Sequence, residues 1–323
     1  MMTRYKIQRI SRRTPQVVSG EPRTGFIAQL TNSSLALIAF IVSLTPLYAL
    51  SEPIHETLIV PAKAAGIEWK VRTEVYRPQG FGPFPLVVFS HGRGEDIKAM
   101  KDPISKRHVN YWIQKGFAVI APIRPGYGET GGDDIEHPHT RVNIQTHQCS
   151  NMPDYEGAAK NAADSVSDVI AWAREQPWAH HKKIILVGVS VGGLTSIALG
   201  ARSVPGVIAY INFSGGHGGN PKESPGNSAC PLALRWLFFR FGRTTQIPNL
   251  WLYSRNDMDW GEKMPRIWHE AFIDGGGRGG FVQTEPLRDE DGHYLLSRGE
   301  AHWIGRVDYF ISALGFRSPE SLY

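Results

Sequence analysis

The sequence predicts an α/β fold, with a mostly parallel central sheet of about eight strands and helices on both faces. Three observations predict it. Short apolar runs rich in Val, Ile and Leu, such as PLVVF, AVIAP and IILVGV, have the composition of strands buried on both faces. Between them lie segments whose apolar residues recur at helical spacing. The two kinds of segment alternate along most of the 323 residues, as parallel strands joined by crossover helices do.

Past residue 51, HETLIVP and WKVRTEVYRP alternate polar and apolar positions, as antiparallel strands do. FPLVVFSHG is a buried strand, residues 102–115 are helical up to Gly116, and FAVIAPIRPG is the next buried strand. A loop insertion rich in Gly, Asp and His runs over about 128–153. Residues 154–176 form a helix with Ala162, Val166, Val169 and Ala173 on one face. KIILVGVS and GGLTSIALGARS are a strand and the helix it runs into. GVIAYINFSGG, a second insertion at about 217–246, and IPNLWLYS follow. A helix near 262–274, the strand FVQTEPL and a closing helix from about 301 complete the chain.

The net charge of +5 belongs to the N-terminus. Of 35 basic and 30 acidic residues, 1–51 hold six basic (Arg4, Lys6, Arg9, Arg12, Arg13, Arg23) and one acidic, Glu21, leaving 29 of each. A neutral remainder excludes nucleic acid as the expected partner. The basic stretch precedes the apolar run 35–50, broken by Ser43, Thr45 and Pro46, and small residues stand at Ala49 and Ser51. This order is that of a signal peptide cleaved near Ser51, leaving one catalytic domain, 52–323, in the periplasm or outside the cell. A membrane anchor is the alternative, though the run is short of the ~20 residues a span needs. Arg12-Arg13 is a weak hint of twin-arginine export. In an exported protein the two cysteines, Cys149 and Cys230, are expected to form a disulfide.

The chemistry centres on VGVSVGG, residues 187–193. Ser190 falls where a buried strand turns sharply into a helix, with Gly188 and Gly192 leaving room for the turn. Such a corner lifts the hydroxyl above the sheet and aims a helix N-terminus at it. Parallel sheets of this kind place their sites at the carboxyl ends of the strands, where Ser190 lies.

A serine nucleophile needs a base, and the base needs an orienting acid. Asp257, just past the strand in LWLYSRNDMDW, is the expected acid, with Asp259 as its competitor. His293, on the Asp-Gly turn of RDEDGHYLLSRGEAHW, is the expected base, and His302 the competitor at the start of the last helix. The backbone N–H groups of Val191 and Arg93 are the expected donors to the substrate oxygen. The Arg93 side chain could equally meet an acidic substrate or solvent. His91, Tyr127 and His217 are candidates for the pocket. His137, His139 and His147 lack regular ligand spacing and are expected at the surface or pocket rim, so no metal is assigned.

The order Ser190, Asp257, His293, with HGRG before it and RPGYGETGG after a core strand, resembles the α/β-hydrolase fold over residues 54–316. Dienelactone hydrolase-like and prolyl-oligopeptidase-like esterases are the nearest in flavour. That resemblance implies hydrolysis of esters, lactones or peptides, small or polymer-derived, without a cofactor. Dienelactone hydrolases carry cysteine at the elbow, so Ser190 argues against a lactone while keeping the hydrolase chemistry. The aromatic stretch LRWLFFRF, 234–241, is expected as a short lid helix over the acyl pocket, with a membrane-touching patch or a core helix as alternatives. A serine peptidase and an inactive binding protein of the same fold are the rival functions. The first would usually carry a further gating domain, for which about 270 residues after the leader leave no room; the second would have lost a triad member.

Overall fold

The computed structural model describes residues 52–139, 142–143, 148–149 and 151–316. The leader, with its expected cleavage site, and His147 lie outside them. Everything below lies in one compact unit within residues 48–323.

Eight strands make one sheet in the order β1-β2-β4-β3-β7-β8-β9-β10. β1 (Ile54–Ala64) and β2 (Ile67–Arg77) pair antiparallel from Ile54↔Arg77 to Ala64↔Ile67, and β2 pairs antiparallel with β4 (Ala118–Pro122). From β4 onward through β3 (Phe84–Ser90), β7 (Ala179–Val189), β8 (Val207–Phe213), β9 (Asn249–Ser254) and β10 (Gly280–Thr284) every pairing is parallel. The alternating strands are thus the antiparallel edge, and the continuous apolar runs are the parallel centre. β5 (Val142–Asn143) and β6 (Gln148–Cys149) pair as a separate hairpin in the first insertion.

Strand alternation divides the core in two. Leu86 and Val88 of β3 point to a cluster built with α2 (Tyr155–Arg174), α3 (Val191–Gly200), α4 (Pro231–Gly242) and α5 (Met264–Asp274). Val87 and Phe89 point to the opposite cluster with α1 (Lys106–Gln114), α6 (Leu295–Arg298) and α7 (Glu300–Ala313). A strand fully buried on both sides, such as β4, has no wet face, which is why its sequence shows no alternation. Each large aliphatic side chain so buried is worth about 1.5–3 kcal/mol.

Local signals set the helix ends. Asp154 accepts from the Gly157 N–H at 2.7 Å and starts α2 where expected. Ser105 caps α1, so the helix expected from 102 begins at Lys106, and Gly116 follows it at φ 80°.

The second insertion departs from expectation. Residues 234–241 belong to α4, which is not a lid. Leu234, Leu237 and Phe238 are buried, and the Phe238 ring meets Trp251 and Trp268 at 5.2 and 5.7 Å. The helix covers the sheet beside β9 because its inner apolar face matches those rings; Leu232 and Trp236 are left facing outward. Among the described residues no helix is long and apolar enough to cross a membrane.

Candidate active site

Ser190 sits between β7 and α3 with φ 56° and ψ −124°, a backbone conformation that costs a non-glycine residue of order 1–3 kcal/mol. Its neighbours over-determine it. The Ser190 N–H donates to the Phe213 carbonyl at 3.0 Å, and its own carbonyl accepts from Leu194 and Gly216 at 3.1 and 3.2 Å. A Cβ on Gly188 would fall 2.0 Å from the Gly192 carbonyl oxygen, and one on Gly192 would fall 2.0 Å from that of Ser90. Both positions of the motif therefore exclude any side chain.

The loop after β3 runs directly against the serine. A Cβ at Gly92 would stand 3.3 Å from Ser190 Cβ. Val191 opens α3, so its N–H belongs to the first turn, whose amides have no carbonyl of their own helix to bind. Gly92, Arg93, Ser190 and His293 line one cleft of about 310 Å³. Its remaining walls are largely apolar: Phe89, Met100, Ile104, Val189 and Leu296. His108 is a polar exception. Ser105 Oγ meets its Nδ1 at 3.0 Å and its Nε2 donates to the Leu296 carbonyl at 2.8 Å, while burial holds its pKa below the usual histidine value.

His293 lies in a 3-10 turn, Gly292–Tyr294, whose start is tied by the Asp291 carboxylate to the backbone N–H groups of His293 and Met258 at 2.8 and 2.9 Å. Its Nδ1 is 3.1 Å from both carboxylate oxygens of Asp257. Asp257 Oδ1 also accepts from the N–H groups of Asp259 and Trp260, at 2.9 and 3.0 Å. Burial alone would lower the His293 pKa, but the charges of Asp257, Asp259 and Asp291 and the Asp257 hydrogen bond outweigh it and raise it to about 9. Asp259 is pushed up to about 6, first by burial and then by the neighbouring carboxylates, against the pull of His293.

Asp257 and His293 are thus brought together, and His302 is not: it is exposed in the first turn of α7. Asp259 does not cap α5, which has no side-chain cap; it turns back toward the imidazole. The Arg93 side chain is bound to Asp134 and reaches Tyr127 Oη at 3.3 Å, so it is not held out for a substrate. His91 lines the cleft, with Nε2 accepting from the Arg124 N–H at 3.1 Å. Tyr127 and His217, expected at the pocket, are buried behind its wall instead. Tyr127 donates to Glu136 at 2.8 Å, and His217 bonds the Glu136 carbonyl at 3.0 Å. His137 and His139 are exposed.

Residues not singled out from the sequence complete the surroundings. Arg124 and Glu136 form a buried pair beneath the Gly92 loop. Asp291 and Trp260 frame the imidazole, the indole at 5.4 Å between ring centres. The acidic run RDED ahead of His293 was the available signal for Asp291. Among the described residues, Asp257, Asp259 and His293 are the one group with the composition of a metal site, their ligand atoms within 4.8 Å of one another. Here the imidazole nitrogen is taken by the carboxylates themselves, so the group forms an acid–base cluster. Cys230 begins α4 and is not free; the side chain of Cys149 lies outside the described residues.

Comparison with known proteins supports the fold. Residues 66–226, which include the elbow, match the profile of the X-Pro dipeptidyl-peptidase (S15) family. Similar solved structures include the Pyrococcus horikoshii acylaminoacyl peptidase, at TM-score 0.53 and 14% identity over 82% of this chain and 42% of that one. Another is a Klebsiella pneumoniae protein assigned as a dienelactone hydrolase, at 0.53 and 16% over 82% and 98%. Porphyromonas gingivalis dipeptidyl peptidase 4 gives 0.57 and 15% over 81% and 36%. The chain therefore spans less than half the length of the two peptidases and nearly all of the Klebsiella protein. No protein of the curated set matches. The chain has the α/β-hydrolase fold.

Proposed function

We infer that the protein is an exported carboxylic-ester hydrolase working through Ser190, His293 and Asp257. His293, when neutral at Nε2, takes the Ser190 proton as Oγ attacks the ester carbonyl. Asp257 holds the ring through Nδ1 and stabilises the imidazolium that forms. The N–H groups of Val191 and Arg93 receive the developing oxyanion. Collapse expels the alcohol, protonated from Nε2, and leaves an acyl group on Ser190. Water, deprotonated by the same nitrogen, then releases the acid.

The observation that carries the choice of ester is the lining of the cleft. A peptidase removing N-terminal dipeptides must recognise a cationic amino group, which calls for a carboxylate facing the substrate. Among the described residues, none that lines the Ser190 cleft is Asp or Glu, and its walls suit an apolar, uncharged acyl group. The basic leader and apolar run support export.

A fluorophosphonate probe together with a panel of aliphatic and aromatic esters, lactones and X-Pro anilides tests this reading. Labelling at Ser190 with turnover of esters is expected. Preferred cleavage of the anilides would make the protein a peptidase, and absence of labelling would make it a binding protein.

A further inference from the structure

Asp257 does not face the imidazole alone. Asp259 Oδ2 lies 3.4 Å from the same Nδ1, with the Asp259 side chain 15% exposed. It is wedged in place: a Cβ on Gly219, in the connection between β8 and α4, would fall 2.1 Å from Asp259 Oδ1. The groups around the ring are Asp257, Asp259 and the indole of Trp260 from the loop after β9, and Asp291 from its own turn. The other titratable cleft side chains are His91 and His108, whose pKa values burial lowers, Tyr294 beside the ring, and Arg93, whose charge is met by Asp134; Ser190 is the nucleophile.

We propose that Asp259, a second carboxylate whose Oδ2 stands 3.4 Å from Nδ1, sets the pH at which His293 can act as a base. The inference rests on the roles given above to Ser190, His293 and Asp257. One carboxylate suffices to orient the ring. Nδ1 carries a single N–H, and Asp257 accepts it, so Asp259 adds attraction for the charged ring without adding a bond that orients it. A histidine at about 9 is mostly protonated at neutral pH and has no lone pair on Nε2 for the serine proton. With its own pKa at about 6, Asp259 is charged throughout the range in which His293 loses its proton. The proton released as the pH rises goes to solvent, and only then does Nε2 accept one from Ser190.

The test pairs two measurements. One is the NMR titration of the His293 ring in Ser190→Ala, with and without Asp259→Asn. The other is the pH profile of kcat/KM for Asp259→Asn and Asp259→Glu with Ser190 intact. Asp259→Asn should lower the ring pKa and move the acidic limb of the profile down by about one pH unit, making the variant roughly tenfold faster than the parent at pH 7. Asp259→Glu, which restores the charge, should keep the limb near its original position. A limb and a ring titration that both stay put under Asp259→Asn overturn the proposal. So does a folded Asp259→Asn protein that is slow at every pH, since Asp259 would then be orienting the ring. Should Ser190→Ala still turn over ester, the assignment of the nucleophile fails, while the ring titration, which needs no turnover, still decides the role of Asp259.

Discussion

Arg124 and Glu136, both fully buried, meet through two hydrogen bonds, Nε to Oε1 at 2.7 Å and Nη2 to Oε2 at 3.0 Å. The remaining arm of the guanidinium, Nη1, donates to the carbonyl of His91 at 2.8 Å. The pair is thus fastened to the residue preceding Gly92, and through it to the loop expected to bind the oxyanion. Replacing Glu136 by Gln keeps the shape but leaves a buried guanidinium without its counter-charge, at a cost of roughly 3–5 kcal/mol. A fall in Tm of about 10 °C is expected. Thermal melts read that loss, and steady-state kinetics should show kcat falling more than KM rises. An unchanged Tm would mean that the pair contributes no net stability.

Two substitutions at the elbow separate chemistry from strain. Ser190→Ala should abolish turnover and probe labelling while leaving the fold intact. Ser190→Gly should be equally inactive yet more stable, by about 1 kcal/mol, since glycine accepts φ 56° without the penalty a side chain incurs. Denaturant melts of the two variants decide it; a glycine variant less stable than the alanine one would show that the corner stores no strain.

His293→Ala should be nearly as damaging as loss of the serine. Asp257→Asn should keep the fold and reduce kcat by about 10⁴, as loss of the orienting carboxylate does in other triads. His302→Ala, at an exposed position, should change kcat/KM by less than about twofold. Rates on a single ester for the three variants, at pH values spanning the His293 titration, check the assignment. A severe His302→Ala defect would move the base to the other histidine.

Export and oxidation leave a joint signature in intact mass. Export as proposed predicts a chain that begins near Glu52, and the expected Cys149–Cys230 disulfide predicts a mass two hydrogens below that of the reduced form. Closing a loop of about 80 residues in this way contributes roughly 4 kcal/mol in the chain-entropy picture. Exported protein that alkylates at both cysteines without reductant would end the bridge, and a full-length chain retained in membranes would favour the anchor.

The framework was legible because buried parallel strands and amphipathic helices leave periodic marks on the sequence. The antiparallel edge, the six parallel strands and the ends of α2 fell within a few residues of expectation. The position of Ser190 was legible for a local reason, since Gly188 and Gly192 are required by contacts that the strand-to-helix corner itself creates. What escaped depends on encounters between distant segments. Nothing near Tyr127 or His217 in sequence says that Glu136 draws both into the interior. The aromatic run 234–241 marks a helix, but whether it covers the pocket or the sheet depends on Trp251 and Trp268, which arrive later in the chain. Asp259 was legible only as the competitor of Asp257, because only the folded loop turns both carboxylates toward Nδ1.

Trp260 bridges several of these parts. Its Nε1 donates to the Ser214 carbonyl at 2.7 Å, its backbone N–H holds Asp257, and its ring stands edge-on to His293. An imidazolium quenches indole fluorescence more strongly than a neutral imidazole, so this side chain is a built-in optical gauge of the proton on His293. The emission lost on Trp260→Phe should brighten as the ring deprotonates and trace its titration in protein that has never met a substrate.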